Sequence, residues 1–195
     1  MATNQERRDA TRAKLIAVAR EHFACNGYEG THTGDILAQT QLSRGALYHH
    51  FKSKRDLFEA VFVETSNEAI DHAVSQGNTG TSPVDDLIAA CLAWLSAVRQ
   101  PNMAKIILEL GPQVLGWKQS RNLESKSSLG LMIRSLKRAV DAREIEVPSV
   151  ELTARLLNSL LAEAALANLY REPATSIAKQ NATVSQFIEG LRVNE

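Results

Sequence analysis

Apolar residues recur along almost the whole chain at spacings of three and four, and no stretch alternates strictly, so the pattern is helical throughout. Ile16, Ala19 and Phe23 fall at i, i+3 and i+7, with Leu15 and Val18 widening the stripe. This predicts a first amphipathic helix from about Arg7 to Asn26. Gly27 stands where a left-handed helix end is wanted, and Tyr28 can fold back onto the last turn. Thr33 reads as the N-cap of a second helix, with Asp35 suited to its dipole and Ile36 and Leu37 as its apolar residues. Gln41 and Leu42 make a tight turn. Ser43 then caps a third helix to about Phe51, with Leu47 and Phe51 four apart on an inward face. A longer helix begins after Ser53 and keeps Leu57, Phe58, Val61, Phe62 and Ile70 in step to about Val74.

Residues 76–83, QGNTGTSP, are the clearest linker. Ser82 caps the next helix, Pro83 takes its first position, and apolar residues from Leu87 to Val98 follow. Pro101 starts a shorter helix through Ile106, Ile107 and Leu110, which Gly111-Pro112 is expected to break. A long polar-faced helix spans roughly Trp117 to Ala142. Pro148 and Ser149 open a helix from Val150 to Tyr170 that is apolar on nearly all sides and rich in alanine. Pro173 starts the last one, with Ile177, Val184, Phe187, Ile188 and Leu191. The fold class is all-α, with about nine helices.

Composition changes this picture little. The chain has 195 residues, 44% of them hydrophobic and 23% charged, which is ordinary for a folded domain. Its formal net charge is zero. Residues 1–60 carry nine Lys/Arg against seven Asp/Glu, and the rest thirteen against fifteen, so charge alone does not indicate nucleic acid. Arg7, Arg8, Arg12 and Lys14 read as a solvated face of the first helix. Cys25 and Cys91 have no metal-like or redox-like spacing and read as reduced, mostly buried thiols. No signal-peptide or membrane-spanning stretch is visible, so a cytoplasmic protein without membrane contact is expected. No nucleophile–base spacing, phosphate-binding glycine loop or metal cluster appears, so neither an enzyme nor a cofactor is expected.

Residues 33–54, TGDILAQTQLSRGALYHHFKSK, are two short helices joined by a tight turn, the second rich in groups suited to a phosphate backbone. Gly27-Tyr28, Thr33, Ile36, Leu42-Ser43, Gly45, Leu47-Tyr48, His50-Phe51, Lys54 and Leu57 closely resemble the N-terminal signature of the TetR family of bacterial transcriptional regulators. The resemblance covers residues from about 12 to 62. Gln41-Leu42 stands where the family often has Gly-Val, and Leu37 where a small residue is common; both keep a packing residue in place. GPQVLGWKQSR, residues 111–121, is similar to a stretch in one branch of such regulators. The resemblance implies a three-helix helix-turn-helix DNA-binding domain, residues 1–53. It also implies a larger helical ligand-binding and dimerisation domain, residues 54–195. The function it implies is a repressor that binds a palindromic operator as a dimer and is released by a small molecule. A helical DNA-binding regulator with no small-molecule ligand, an activator or nucleoid-type binder, is the alternative.

Resemblance and geometry together make Ser43, Tyr48, His49, His50 and Lys54 phosphate-contact candidates on double-stranded DNA, with Thr33 at a second helix start. Arg44 is the candidate base reader, since arginine can bond guanine at two atoms. Gly45 and Ala46 allow the helix to approach the groove closely. Adjacent histidines point about 100° apart on a helix and lack partners, which argues against a metal at His49-His50. In the larger domain, the helices 150–170 and 174–192 are expected to form a two-fold homodimer. It would set the recognition helices ~34–36 Å apart, or a multiple of that. Trp94, Met103, Trp117 and Met132, with Asn158, Glu163 and Tyr170, are pocket candidates for a small-molecule effector. Glu163 lies on an otherwise largely apolar stripe and is expected to pair with a ligand amine, another cation or Arg155.

Overall fold

Helix α1, Asn4–Gly30, starts before its apolar stripe does. The Thr3 hydroxyl accepts from the Glu6 N–H at 3.2 Å, and the Glu6 carboxylate accepts from the Thr3 N–H at 2.6 Å. This capping box satisfies two otherwise orphaned donors and sets the helix start. The computed structural model describes residues 3–124, 128–169 and 176–193. At Gly27 the backbone takes φ 70°, ending the regular helix where expected; residues 28–30 add one more turn. Tyr28 folds back onto Phe23, ring centroids 5.7 Å apart, and meets Phe58 edge-on at 5.6 Å.

Short-range features set the next boundaries. Thr33 is the first residue of α2, Thr33–Thr40, and not its N-cap; His32 holds the cap position in extended backbone. Gln41 makes the turn in a left-handed conformation, φ 57° and ψ 30°. Ser43 caps α3, Arg44–His50, accepting from the Ala46 N–H at 3.1 Å, and Ser53 caps α4, Lys54–Gln76, accepting from the Asp56 N–H at 3.1 Å.

The larger part begins with α5, Pro83–Val98, capped by Ser82. Then α6, Pro101–Ala104, runs into a π-helical stretch, Lys105–Leu110, and α7, Gly111–Leu115. Gly111-Pro112 therefore does not break the helix as expected. The wider π register sends the Gly111 N–H to the Ile106 carbonyl, five residues back, and accommodates a proline that has no N–H to give. The break comes at Gly116, φ 85°. Gly111 is also a point of close approach to α4, because a Cβ there would lie 2.4 Å from Cε2 of the fully buried Phe62.

The expected helix from Trp117 to Ala142 is described as α8, Trp117–Glu124, and α9, Gly130–Asp141. Then come α10, Val150–Leu169, and α11, Ile177–Glu189, the latter capped by Ser176. Tyr170 and Pro173 lie outside the described residues. Among the described residues there are eleven α-helical segments and no strand, only an isolated bridge between Ile145 and Arg192. The count exceeds nine because Pro101–Leu115 divides more finely than its apolar pattern does, and because residues 125–127, inside the expected 117–142 helix, lie outside the described residues.

One apolar cluster runs from Phe23, Ile36 and Leu47 across Phe58 and Phe62 of α4 to Leu95, Ile106, Leu136 and Ile188. The linker is held by Asp86, whose carboxylate accepts from the Thr79 N–H and hydroxyl at 2.7 and 2.8 Å and pairs with Arg138 at 3.2 Å. These hydrogen bonds, led by that from the Thr79 hydroxyl, hold the Asp86 carboxyl below the usual carboxylate range. Cys91 is buried, and desolvation pushes its thiol up to about 12, whereas Cys25 is exposed, contrary to expectation. No helix among the described residues is long and apolar enough to cross a membrane.

Candidate nucleic-acid interface and effector groove

On α3, Leu47 and Phe51 turn inward and are buried, which fixes the outward arc. Ser43, Arg44, Gly45, Tyr48 and His49 are exposed there, with Ala46 half-buried behind them. The Arg44 guanidinium lies 5.6 Å from the Tyr48 ring centroid, so two of the expected contacts stack on each other. A side chain at Gly45 would meet nothing closer than the Ser43 hydroxyl at 3.8 Å. Glycine inside a helix costs about 1 kcal/mol relative to alanine, and the chain's own packing does not require it here.

His50 is half-buried, its ring 5.4 Å from that of His49 and 6.2 Å from Phe51. Desolvation, reinforced by the positive fields of His49, Arg8 and Arg12, lowers its pKa. Arg12 of α1 braces the same corner, its guanidinium 5.5 Å from the Phe51 ring. Thr33, half-buried, stands apart at the start of α2.

Lys54 has another task besides the expected one. Its ammonium donates to the Tyr28 carbonyl at 2.9 Å and the Thr31 carbonyl at 3.2 Å, and lies 4.3 Å from the Tyr28 ring centroid. Two of its three donors thus close the last turn of α1. Spacing alone could not show this, because 26 residues separate Lys54 from Tyr28.

A groove of about 250 Å³ lies between the 107–121 region and α10. Trp117, Asn158 and Glu163 line it, as expected. The other candidates do not: Met103 and Met132 are buried in the core, and Trp94 packs half-buried against it. Tyr170 lies outside the described residues. Glu163 and Arg155 both face the groove but form no ion pair; eight residues apart on one helix, they are separated by ~12 Å of axial rise. Arg121 went unrecognised in the sequence. It sits four residues after Trp117 on α8, its guanidinium 5.1 Å from that ring, and an Arg four after an exposed Trp is a readable signal for such a stack.

A polar bracket joins this groove to the start of α4. Arg55 donates to the Leu115 carbonyl at 3.0 Å and to Gln119 Oε1 at 2.8 Å, and Gln119 Nε2 donates to Glu59 at 2.5 Å. Leu152, Leu156, Ile177 and Phe187 are left exposed on α10 and α11.

The comparisons with known proteins agree with this layout. A family model described as "Bacterial regulatory proteins, tetR family" matches residues 15–61, and one described as "Tetracyclin repressor-like, C-terminal domain" matches residues 84–191. The chain is similar to the HTH-type transcriptional regulator QacR of Staphylococcus aureus, 46% identical over 54 residues, 27% of this chain and 29% of that protein. It is also similar to the HTH-type transcriptional repressor KstR2 of Mycolicibacterium smegmatis, 29% identical over 98 residues, 50% of this chain and 48% of that one. The match thus spans less than half the length of either. A crystal structure of a TetR-family transcriptional regulator from Pectobacterium atrosepticum superposes with TM-score 0.75 at 28% identity, covering 99% of both chains. The fold is shared as well by the transcriptional regulator FadR of Bacillus subtilis in complex with stearoyl-CoA, TM-score 0.77 at 20% identity, covering 90% of this chain and 96% of that one. With family models over both its head and its larger helical part, the chain belongs to the TetR family of bacterial regulatory proteins.

Proposed function

We propose that the chain is a sequence-specific, DNA-binding transcriptional regulator: a repressor that holds a near-palindromic operator as a homodimer and releases it when a small molecule binds. Residues 1–53 are the DNA-binding head, and residues 54–195 the effector and dimerisation part. The observation that carries this reading is the outward arc of α3, where Ser43, Arg44, Gly45, Tyr48 and His49 are exposed over a buried Leu47 and Phe51. A helix that spends stability on a glycine its own packing does not need is suited to pressing into a groove about 12 Å wide.

In this reading Arg44 reads a base edge and Gly45 and Ala46 make the close approach. Thr33, Ser43, Tyr48, His49 and His50 hold phosphates. Lys54 supports the head from within and offers a phosphate its third donor at most. Leu152, Leu156, Ile177 and Phe187, all exposed on the last two helices, are covered by a second copy. The groove takes the effector, and the Arg55–Gln119–Glu59 bracket passes the displacement of α8 to the first turns of α4, directly behind α3. DNA and effector then oppose each other with one coupling energy. Such a protein acts by binding, in the cytoplasm, with no chemical step.

The test is a titration of the duplex upstream of the protein's own coding sequence against random duplex of equal length at moderate salt. Preferential binding of the upstream duplex, weakening as salt rises, is expected. Equal affinity for both would reject the specific-regulator reading.

A further inference from the structure

Resting on the DNA-binding reading above, we propose that the first turns of α1 are a further contact with DNA, in which Arg8 and Arg12 hold backbone phosphates beside the groove that α3 enters. The sequence pattern alone marks these arginines as a solvated face, and the expected contacts all lie on α2, α3 and the start of α4. From Asn4 to Lys14, however, α1 buries no residue; its first buried side chain is Leu15. This projection, ~16 Å of helix, adds nothing to the core. It is nonetheless held helical by the Thr3–Glu6 capping box and by Gln5, whose Nε2 donates to Asp9 Oδ1 at 2.9 Å. Those bonds engage both carboxylates of the stretch, Glu6 and Asp9. Its four cations, Arg7, Arg8, Arg12 and Lys14, are exposed and have no ion-pair partner among the described residues.

Packing against α3 decides which of the four face DNA. The Arg12 guanidinium lies 5.5 Å from the ring of Phe51, which ends α3. Arg8, one turn earlier and about 40° round the helix, shares that face, whereas Arg7 and Lys14 are about 140° and 160° away and point elsewhere. The fields of Arg8 and Arg12 both reach His50, in keeping with that orientation. His49, its ring 5.4 Å from that of His50, belongs to the outward arc. Two guanidiniums therefore flank the C-terminal end of α3, as Arg44 flanks its N-terminal end. Phosphates wall the groove that a recognition helix enters, and a guanidinium matches their oxygens with parallel hydrogen bonds. Asp9 shares this face of α1, so it carries two cations against one carboxylate. Asp56, Glu59 and Glu64 of α4 line an open cleft together with Arg12 and His50. Arg8 stands clear of that cleft and is the less opposed of the two, which makes it the principal contact.

The test is a fluorescence-anisotropy titration of the full-length protein on two duplexes of equal length, the one upstream of its own coding sequence and a random one, over a salt series. Arg8→Gln should weaken binding of both about tenfold at about 0.1 M salt and flatten the slope of log K against log salt by about 1 per protomer. Arg12→Gln should do the same by a smaller amount. Arg8→Lys should keep the parent slope, and so should Arg7→Gln, which removes the same charge from the opposite face. Arg8 is exposed and unpaired, so the melting temperature of Arg8→Gln should equal that of the parent, which separates a lost contact from a lost fold. Should Arg12→Gln melt early because it loses the Phe51 contact, Arg8→Gln and Arg7→Gln decide between them. Equal slopes in those two variants, whether both parental or both flattened, overturn the proposal, and so does a parent that binds neither duplex. Equal affinity of the parent for the two duplexes, with the slope still flattened in Arg8→Gln alone, rejects the specific-regulator reading and leaves the α1 contact standing. Preference for the upstream duplex with a parental slope in Arg8→Gln does the reverse.

Discussion

Replacing Lys54 by methionine separates its two roles. Methionine keeps an unbranched apolar stem and a similar helix propensity but removes the ammonium. Lost are the hydrogen bonds to the Tyr28 carbonyl, 2.9 Å, and the Thr31 carbonyl, 3.2 Å, and the contact with the Tyr28 ring. Hydrogen bonds from a charged donor contribute about 1.5–3 kcal/mol each where water is excluded, and this half-buried site retains only part of that. The ring contact adds ~0.5–1 kcal/mol. Opposing these, the substitution removes a cation from the positive end of the α4 dipole, a gain of about 0.3–1 kcal/mol. The hydrogen bonds dominate, and the net loss should be about 2 kcal/mol, a drop in melting temperature of roughly 4–8 °C for a chain of this size. Thermal melts by circular dichroism measure it. Operator affinity measured over a salt series should keep its slope, because an ammonium directed into the protein releases few counterions. If Lys54 were mainly a phosphate contact, the melt would be unchanged and the slope of log K against log salt would flatten by about 1 per protomer. That pair of results would refute the bracing role.

Other substitutions probe the remaining parts. Tyr48→Ala should weaken binding of every duplex by about 1 kcal/mol, whereas Arg44→Ala should relax preference at particular base pairs by about 1–3 kcal/mol, both read from competition against single-substituted operators. A uniform loss for Arg44→Ala would remove its reader role. Gln41→Gly relieves a left-handed backbone at φ 57° and should raise stability by about 0.5–1 kcal/mol despite the greater freedom of the unfolded glycine; a lower melting temperature would contradict this. Leu156→Glu puts a charge on the exposed face of α10 and should leave a folded monomer in sedimentation equilibrium, whereas an unaltered dimer would move the interface elsewhere.

What was legible in the sequence followed from short-range chemistry. Ser43 and Ser82 cap the helices expected of them because capping depends on residues three apart, Ser53 stands just before the expected fourth helix and caps it by the same chemistry, and Leu47 and Phe51 reveal an inward face by spacing alone. The Thr3–Glu6 capping box has an equally local signal, but it stands ahead of the apolar stripe by which the helix start is read. The π-helical stretch was not readable, because proline after glycine ordinarily ends a helix and only packing against Phe62 and a five-residue register carry this one through. Side-chain destinations were the least legible. Nothing local distinguishes a Lys54 that reaches back 26 residues from one that reaches out to DNA. Likewise Met103 and Met132 have the composition of pocket residues but are buried in the core, while Arg121 reads as surface and lines the groove.

The central claim, a two-fold DNA-binding dimer reading through α3, is tested most directly by selecting binding sites from a pool of fully randomised duplexes. Enriched sequences should contain two inverted half-sites with centres ~34–36 Å apart, or a multiple of that, and the selected complex should contain an even number of protomers. Enrichment of single, unpaired half-sites, or no enrichment over the starting pool, would contradict it.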